Sequence, residues 1–505
     1  MKYNAIYVCC IDNPWLDVVD ILYKKHNIYP SYFIGWKDDN SHSIQNKYKN
    51  CFYQTVEDAW KGKGTIQFDY FDLVDMKDIE KFATEQIIAI KMMDRLDIDR
   101  YSFNFSDRQV FFYQLLQYWV TVLNRRKIKI AIFPVTPHRV FDYILYIACK
   151  IHNITTIMFQ MTPFNDASYI IDDIDHMPDY IIKALNNSNN IKPLNNIIKK
   201  EIDNKRKDYQ KAIPYYMKEQ EQNSKFQINF TKKLLHICKR LVHSFEMSNS
   251  YHIQKNKTPF NSNFNNFEYK LKRLLNEIYL KRLLNEYNSL CINSSEISKK
   301  FILVALHYQP EETTVPSGGL FYDQILIISM LDSILPKDID IIVKEHKSQF
   351  YKEYEGATGR TKNYYKNINN ISKRVKLVNT DLDPFKLIEK AIFTVTVTGT
   401  IGWESAIRMT PAIHFGRAWY ENMPGTYRIK DAKTLKSSIK IILNKEYSYT
   451  LQDIYNYHSK LSDFFIYAIH YKAYQDISNR DIKESAIIIS EAIFNYLKQQ
   501  KIIKD

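Results

Sequence analysis

Cysteine is scarce in this sequence, and its six residues form no pattern that is typical of a metal or disulfide site. None of them lies in a CxxC pair, and no histidines follow at the spacing of a zinc finger. The sequence therefore predicts neither a metal ion nor a disulfide framework, and we expect a protein of the reducing cytoplasm.

Long apolar runs are lacking as well. No uninterrupted apolar stretch approaches the roughly 18 residues that a membrane-spanning helix needs, and the opening residues, MKYNAIYVCC, resemble a strand rather than a secretion signal. The 505 residues are 45% apolar and 25% charged, which is ordinary globular composition over a length too great for one hydrophobic core. We expect at least two domains in a soluble or peripheral membrane protein.

Signatures of nucleic-acid-binding modules are missing, although the formal net charge is +14. No RRM, KH, zinc-finger or helix-turn-helix pattern appears, and the aromatic residues are spread along the chain. The excess of basic residues reflects either a compositional bias or attraction to an anion, such as an acidic lipid surface or phosphorylated and acidic sugars. Nucleic acid is not an expected partner.

The sequence does contain two blocks in which apolar, β-rich runs alternate with helical stretches. In the first block, residues 129–160 form one βαβ unit: strand KIAIFPV, helix RVFDYILYIACKIHN and strand ITTIMFQ. In the second block the strands are nearly continuous apolar runs, as expected when both faces of a parallel sheet are covered. The predicted fold class is α/β, with two Rossmann-like domains and an added helical region.

These patterns divide the chain into four parts. Residues 1–185 are the N-terminal Rossmann-like domain, 186–297 a helical insert, 298–450 the C-terminal Rossmann-like domain, and 451–505 a tail of helices that packs back towards the N-terminal domain. In the insert, KRLLNE occurs twice, which indicates a local duplication inside a helix. Residues 230–245 form a basic amphipathic helix that either packs on the protein or lies on an acidic membrane.

The first candidate motif is TVTGTIGWESAIR (residues 396–408), where an apolar strand runs directly into a helix. Free amides and the positive dipole end at such an N-terminus attract phosphate, and Glu404 in the helix can accept hydrogen bonds from a ribose. The alternative is a turn capped by threonine, in which glycine serves only close packing. The candidate phosphate-binding residues are Thr398, Gly399, Thr400 and Gly402.

Two further motifs follow strands of the same predicted sheet, at the edge where open α/β folds bind ligands. LHYQPEETTVPSGG (residues 306–319) either binds a ligand or is a solvated loop with a β-turn at residues 316–319. VKEHKSQF (residues 343–350) supplies Lys344 and His346, which either stabilise a leaving group or cap the strand end. The candidates in the longer loop are Gln309, Glu311, Glu312, Thr313, Ser317 and Gly318.

In the N-terminal domain, PVTPHRVFD (residues 134–142) and FQMTPFNDAS (residues 159–168) also follow strands. They supply His138, Gln160 and Asp166. If the two sheets face each other, His138 or Asp166 can act as a general base opposite the C-terminal loops. Turn chemistry alone is the other explanation of these residues.

These motifs resemble those of the bacterial capsular-polysaccharide biosynthesis proteins, a group related to transferases of 3-deoxy-2-ulosonic sugars. HYQPEETTVPSGG, VKEHKSQF, TVTGTIGWES and FGRAWY carry the resemblance in the C-terminal domain, and PHRVFDYILY and IIDDI carry it in the N-terminal domain. The resemblance implies a GT-B-like architecture, with two Rossmann-like domains facing across a cleft and the donor nucleotide bound mainly by the C-terminal one. Lys347 follows His346 where related transferases of CMP-activated acidic sugars often carry proline.

The resemblance implies a metal-independent glycosyltransferase without a cofactor. Its donor is a nucleotide sugar, with a CMP-activated acidic sugar as one candidate, and its acceptor is a growing capsule glycan or lipid-linked glycan. Contact with the cytoplasmic face of the inner membrane or with capsule assembly proteins is expected on the same ground. Two alternatives stay open: a sugar-nucleotide epimerase or hydrolase on the same scaffold, and a non-catalytic capsule assembly or export factor.

The leading hypothesis distributes roles among the candidate residues. The catalytic candidates are Glu311, His138 and Asp166. The donor-binding candidates are Gln309, Glu312, Thr313, Ser317, Gly318, Lys344, His346, Thr398, Gly399, Thr400, Gly402 and Glu404. No metal ligand is expected, because the DLD sequence at residues 381–383 is better explained as a cap of the following helix.

Overall fold

The structure is a computed structural model. It describes residues 2–11, 14–36, 39–64, 66, 68–97, 102–164, 166–187, 192–208, 266–351, 356–471, 474 and 478–503. The predicted basic helix at residues 230–245 lies outside these residues, as does much of the helical insert.

Fourteen strands are present in the described residues. They are β1 (Tyr3–Val8), β2 (Ile28–Gly35), β3 (Phe52–Thr55), β4 (Ile130–Ile132), β5 (Thr155–Met161), β6 (Ala167–Ile171), β7 (Cys291–Ile292), β8 (Phe301–Ala305), β9 (Asp340–Lys344), β10 (Val375–Val378), β11 (Thr394–Thr396), β12 (Ala412–His414), β13 (Thr426–Arg428) and β14 (Ile466–Tyr467).

The α-helices of the same residues surround these strands. They are α1 (Trp15–His26), α2 (Asp39–Lys47), α3 (Val56–Trp60), α4 (Met76–Lys81), α5 (Ala83–Met92), α6 (Phe105–Arg125), α7 (Phe141–Ile151), α8 (Asp179–Asn186), α9 (Asn196–Lys207), α10 (Asn266–Leu290), α11 (Gln324–Ile334), α12 (Gly356–Gly359), α13 (Tyr364–Asn369), α14 (Pro384–Lys390), α15 (Thr400–Ala406), α16 (Ala432–Leu443), α17 (Leu451–Ser462) and α18 (Ile482–Gln499).

The N-terminal sheet has the strand order β14-β6-β5-β4-β1-β2-β3. The five strands from β5 to β3 pair in parallel, as the alternation of strand and helix predicts, whereas β6 pairs antiparallel with β5. The predicted βαβ unit is β4, α7 and β5. Its helix is apolar on most sides and buried, because it packs between the sheet and the long helix α6.

The C-terminal tail contains a strand, which the prediction of helices only did not include. Ile466 and Tyr467 of β14 pair antiparallel with Ser168 and Ala167 of β6 at the edge of the N-terminal sheet. Two residues leave no periodicity in a sequence, so this strand depends on its partner alone. The tail also packs on the first domain through α18 and α1, and the Trp15 indole donates to the His470 carbonyl at 2.8 Å.

The C-terminal sheet is wholly parallel, with the order β13-β12-β11-β8-β9-β10-β7. Its last strand, β7, and the whole of α10 come from residues that were predicted to belong to the insert. Helix α11 begins at Gln324, because Asp323 accepts hydrogen bonds from the amides of Ile325 and Leu326. Asp383 caps α14 by accepting from the Phe385 amide, as predicted.

The two predicted Rossmann-like α/β domains are therefore present, and the fold class is confirmed. They share one apolar cluster: Val315, Trp403 and Trp419 of the second domain belong to the same core as Phe164 and Met177 of the first. This contact brings the carboxyl edge of the C-terminal sheet next to the N-terminal domain. In the part of the chain that the structure describes, no helix is both long and apolar enough to cross a bilayer.

Candidate functional site

The candidate site is built around His307, the first polar residue after β8. Its Nε2 atom lies 2.8 Å from Thr396 Oγ1 and accepts from the amides of Val397, Thr398 and Gly399 at 3.2, 3.2 and 3.1 Å. Parallel strands β8 and β11 are neighbours, so a ring after one reaches the turn after the other. Two of the three predicted motifs are thus in direct contact.

The imidazole of His307 is neutral in this arrangement. Burial lowers its pKa to about 3, and the charges of the nearby His346 and Arg360 act in the same direction. Because Nε2 is the acceptor for three amides, the ring proton belongs on Nδ1, which lies 3.4 Å from Thr313 Oγ1. His307 therefore holds the 397–399 turn and the Thr313 loop together without adding charge.

A buried ion pair connects the third motif to the other two. Arg360, which precedes α13, donates through Nε to Glu345 Oε2 at 2.9 Å and through Nη2 to Glu345 Oε1 at 3.0 Å, and both side chains are fully buried. Nη2 also donates to the His307 carbonyl at 2.6 Å. The Tyr365 hydroxyl completes the network by donating to Glu345 Oε2 at 2.7 Å.

Gln309 belongs to this network rather than to an open surface. Its side-chain oxygen accepts from Arg360 at 2.5 Å, its side-chain nitrogen donates to the Tyr322 carbonyl at 2.8 Å, and its amide donates to Gln349 at 2.9 Å. The predicted contact of Gln309 with a donor sugar is not favoured by this geometry, because these polar groups serve the protein. Its evident role is to position the loop that follows.

That loop, residues 310–318, is compact and only partly exposed. Glu311 Oε2 accepts from the Thr313 hydroxyl at 2.9 Å, and Glu312 Oε1 accepts from the Ser317 hydroxyl at 2.5 Å. The predicted turn is present, since the Gly319 amide donates to the Pro316 carbonyl at 2.8 Å. Gly318 is buried under the Thr314 carbonyl, where a side chain would collide.

Glu311 is the half-buried carboxyl group in this loop that is best suited to proton transfer. Burial raises its pKa to about 7, and the charge of Glu312 adds to the rise. The hydrogen bond from Thr313 and the charge of Arg95 oppose it. A carboxyl group with a pKa near neutrality exchanges protons readily at physiological pH.

The turn after β11 differs from the predicted phosphate site because several of its amides are already hydrogen-bonded within the protein. The Thr398 and Gly399 amides already donate to His307, and the Gly402 amide donates to the Gly399 carbonyl at 3.1 Å, so none of them is directed at a ligand. Gly402 is buried against the Tyr420 hydroxyl, which explains why a side chain is excluded there. Thr400, by contrast, is exposed at the start of α15.

Glu404 lies one turn further along α15 and is half-buried. Burial raises its pKa to about 7, and the charges of Arg408 and Lys205 act against that rise. Its charged neighbours thus include Lys205 of α9, in the segment predicted as the helical insert. The predicted contact between Glu404 and a ribose stays a prediction.

The residues after β9 separate into a structural and an accessible group. The Lys344 ammonium donates to the Thr380 carbonyl at 2.8 Å, and burial, followed by the charge of Lys347, lowers its pKa to about 8. His346 is half-buried, and its Nδ1 accepts from the Ser348 amide at 3.3 Å. Burial lowers the pKa of His346 to about 4, so its neutral ring keeps hydrogen-bonding capacity but no charge.

In the N-terminal domain, His138 is connected to the C-terminal loop by Arg95. The guanidinium of Arg95 donates to the His138 carbonyl and to the Val315 carbonyl, the latter at 3.2 Å. His138 itself is half-buried, and its Nδ1 lies 2.7 Å from the Thr136 carbonyl. The loops that carry His138 and Glu311 therefore lie on either side of one guanidinium.

Asp166 is placed differently from His138. It is buried at the β5–β6 turn, and its carboxylate accepts from Ser478 at 2.8 Å and from Arg480, both in the C-terminal tail. The ion pair with Arg480 fixes the side chain, which suits a structural anchor better than a base. Asp166 makes no contact with the group formed by His307, Thr313, Glu345, Arg360 and the turn at residues 397–399, which we call the His307 cluster.

Sequence reasoning missed four arginine and glutamate residues that organise this edge. Glu345 and Arg417 lie inside motifs that were already singled out, VKEHKSQF and FGRAWY. In each motif a charged residue follows a buried strand, and this pattern could have indicated both residues. Arg360 and Arg95 have no local signal, because their partners are distant in sequence.

A hollow of about 560 Å³ lies elsewhere in the C-terminal domain, beside α14. Its lining includes Lys299, Phe301 and Lys386 but none of the predicted site residues. Lysines at its rim are exposed. It is a surface groove that is separate from the His307 cluster.

Comparison with known families identifies the C-terminal domain. Residues 293–438 match the family of capsule polysaccharide biosynthesis proteins. The resemblance predicted from the motifs is confirmed, and the matched capsule-biosynthesis segment contains β8 to β13 with the whole His307 cluster. Among curated protein sequences, none matches the chain.

Several solved structures are similar to the chain at low identity. The UDP-GlcNAc 2-epimerase from Methanocaldococcus jannaschii in complex with UDP-GlcNAc and UDP is 13% identical, with 91% of this chain and 97% of that chain covered and a TM-score of 0.25. The beta Kdo 2,7 transferase KpsC from Thermosulfurimonas dismutans is 13% identical, with 45% and 65% covered and a TM-score of 0.24. Similarity at this level says nothing about the substrate of the capsule-biosynthesis segment.

Proposed function

We propose that the protein is a glycosyltransferase of capsule polysaccharide synthesis. It transfers a sugar from a nucleotide-sugar donor to a growing, lipid-linked glycan. The observation that carries this proposal is the contact of three strand-end loops of the capsule-biosynthesis segment around His307, with Glu311 beside them. Ligands of open α/β sheets bind at such an edge.

The accessible groups at this edge suit a nucleotide sugar. Thr400 is exposed, and Thr313, His346 and Glu404 are half-buried, so hydroxyl, imidazole and carboxyl groups are within reach of a ligand. The amides of Thr400 and Ile401 precede the first hydrogen bond of α15 and favour a phosphate. Hydrogen-bond donors at the phosphate stabilise the charge that the leaving nucleotide gains.

Glu311 is the general base in this proposal. It removes the proton from the acceptor hydroxyl while that oxygen attacks the anomeric carbon, and the bond from the sugar to the nucleotide breaks with its electrons on the phosphate. The acceptor in this proposal lies between the two domains, and the position of His138 across Arg95 from the Glu311 loop supports that placement. A CMP-activated acidic sugar is one candidate donor.

Titration of the full chain with CMP, UDP and GDP, followed by incubation of the corresponding nucleotide sugars with and without a glycan acceptor, tests the proposal. Saturable binding of one nucleotide and transfer that depends on acceptor are expected. Conversion of donor without acceptor instead supports an epimerase or hydrolase. Failure to bind any nucleotide supports an assembly or export factor.

Thr400→Ala and His346→Ala are expected to weaken nucleotide binding by about 1–3 kcal/mol each, because each removes a hydrogen bond to a charged phosphate. Isothermal titration with the nucleotide that binds best measures the change. Thr361→Ala, at an exposed threonine of the same domain, is the matched control and should bind like the wild type. Wild-type nucleotide affinity in both test variants would show that the phosphate does not bind at this edge of the sheet.

A further inference from the structure

Arg417 is a buried arginine at the boundary of the two domains, three residues after the end of β12. Only 3% of its surface is exposed. Its Nε donates to the Ile174 carbonyl at 2.6 Å, and its Nη2 donates to the Gln160 side-chain oxygen, both in the N-terminal domain. Its Nη1 is buried and has no hydrogen-bond partner in the described part of the chain.

Two other buried arginines each form an ion pair with a carboxylate, which Arg417 lacks among the described residues. Arg360 pairs with Glu345 at 2.9 Å, and Arg374 pairs with Asp332 at 2.7 Å. Among the described residues no carboxylate lies within ion-pair distance of Arg417, whose partners are a carbonyl, a neutral amide and the neutral Tyr169 hydroxyl. A buried cation without a counter-ion is costly, so its retention points to an anion that is supplied from outside the chain.

Neighbouring ionisable groups do not fill that role. Glu421 is engaged by Arg428 at 2.6 Å. Asp175 lies on an exposed turn, and the charge of Arg417 acts on it without forming an ion pair. Tyr169 donates its hydroxyl to the Trp419 carbonyl at 3.4 Å and is also hydrogen-bonded to the Arg417 side chain, but burial raises its pKa, so it stays neutral and supplies no counter-charge.

Arg417 is also adjacent to the His307 cluster. Its amide donates to the Ser317 carbonyl at 3.1 Å, and the preceding Gly416 amide donates to the Val397 carbonyl at 2.8 Å. A Cβ atom on Gly416 would lie 2.5 Å from Thr398 Cγ2 and 2.4 Å from the Ser317 carbonyl. The guanidinium thus extends from the candidate donor loops towards the N-terminal domain.

We propose that Arg417 is an oxyanion-binding residue, which takes a phosphate or carboxylate group of the substrate at the domain boundary. The neutral Gln160 amide is a weaker partner than an anion. Displacement of Gln160 opens Nη2 beside the unpartnered Nη1, and two parallel N–H donors match an oxyanion in bidentate geometry. The inference deepens the proposed function, on which it rests for the identity of the substrate.

Isothermal titration of the full chain with inorganic phosphate, and then with CMP and UDP, tests the inference. Arg417→Met is expected to lose roughly tenfold to a hundredfold in affinity for the anion that the wild type binds. Lys386→Met, at an exposed lysine of α14, is the charge-matched control and should bind like the wild type. Equal affinity of Arg417→Met and wild type overturns the inference, as does an absence of anion binding in the wild type.

A second measurement needs no variant and covers the case in which Arg417→Met does not fold. Since the anion has to reach the guanidinium, Arg417 of the wild type should react slowly with phenylglyoxal and be protected by phosphate or nucleotide. Peptide mass spectrometry measures the modification, and a lack of reaction or of protection overturns the inference.

The two proposals fail separately. Nucleotide binding that is insensitive to Arg417→Met leaves the transferase proposal in place and removes this one. Phosphate binding that depends on Arg417, in a protein that binds no nucleotide, supports the oxyanion site and contradicts the transferase.

Discussion

Arg360→Met is expected to lower the unfolding free energy by about 3–5 kcal/mol, because it leaves the Glu345 carboxylate buried without its cation. The same change removes donors from the His307 carbonyl and from Gln309, so the strand-end loops should also lose their fixed position. Urea denaturation followed by circular dichroism measures the stability.

A double-variant cycle separates the ion pair from simple loss of packing. Glu345→Leu added to Arg360→Met removes the unpaired carboxylate and should recover part of the lost stability. Lys300→Met is the control, since the Lys300–Asp338 pair is exposed and should contribute little. Wild-type stability of Arg360→Met would show that the network is not what holds the three loops together.

Glu311→Gln is expected to lower the transfer rate by about 100- to 10,000-fold, the range that general acid–base catalysis usually supplies. Gln has the shape of Glu and accepts the Thr313 hydrogen bond, so nucleotide affinity should not change. Steady-state transfer assays and isothermal titration measure the two quantities. Glu389→Gln, at an exposed residue of the same domain, should behave like the wild type.

The pH profile of the wild type provides the matching signature. Burial raises the pKa of Glu311 to about 7, so its basic, ionised form predominates only above that pH. We therefore expect kcat/KM to fall as the pH drops below about 7. Full activity of Glu311→Gln, or a wild-type profile that is flat from pH 6 to 8, would reassign this carboxyl group to loop structure.

Prediction from sequence succeeded where a local pattern decides the structure. The apolar strands of the second domain follow from the periodicity of the sequence. Its helix starts follow from capping residues such as Asp383, whose side chain caps α14. It was less successful with β14 and β7, which are two residues long and exist only through pairing with β6 and β10. Such strands carry no signal of their own.

The candidate site shows the same division. Motif position at strand ends predicted that the loops beginning near His307, Lys344 and Thr398 lie at one edge. It did not predict that His307 occupies the amides of Thr398 and Gly399, or that Gln309 is taken up by Arg360, because each contact joins residues that are distant in sequence. Asp166 and Glu311 look alike in the sequence, and only their different neighbours distinguish them.

By itself, the sequence determined the α/β class, the parallel second sheet and the motifs of the capsule polysaccharide biosynthesis family, since all three depend on residue types at short spacing. Only the tertiary structure decided which polar groups are available to a ligand. Burial and long-range hydrogen bonds neutralise His307, pair Glu345 with Arg360, and, among the described residues, leave Nη1 of Arg417 without a hydrogen-bond partner. Desolvation and charge pairing act through space, and the order of residues along a chain does not encode them locally.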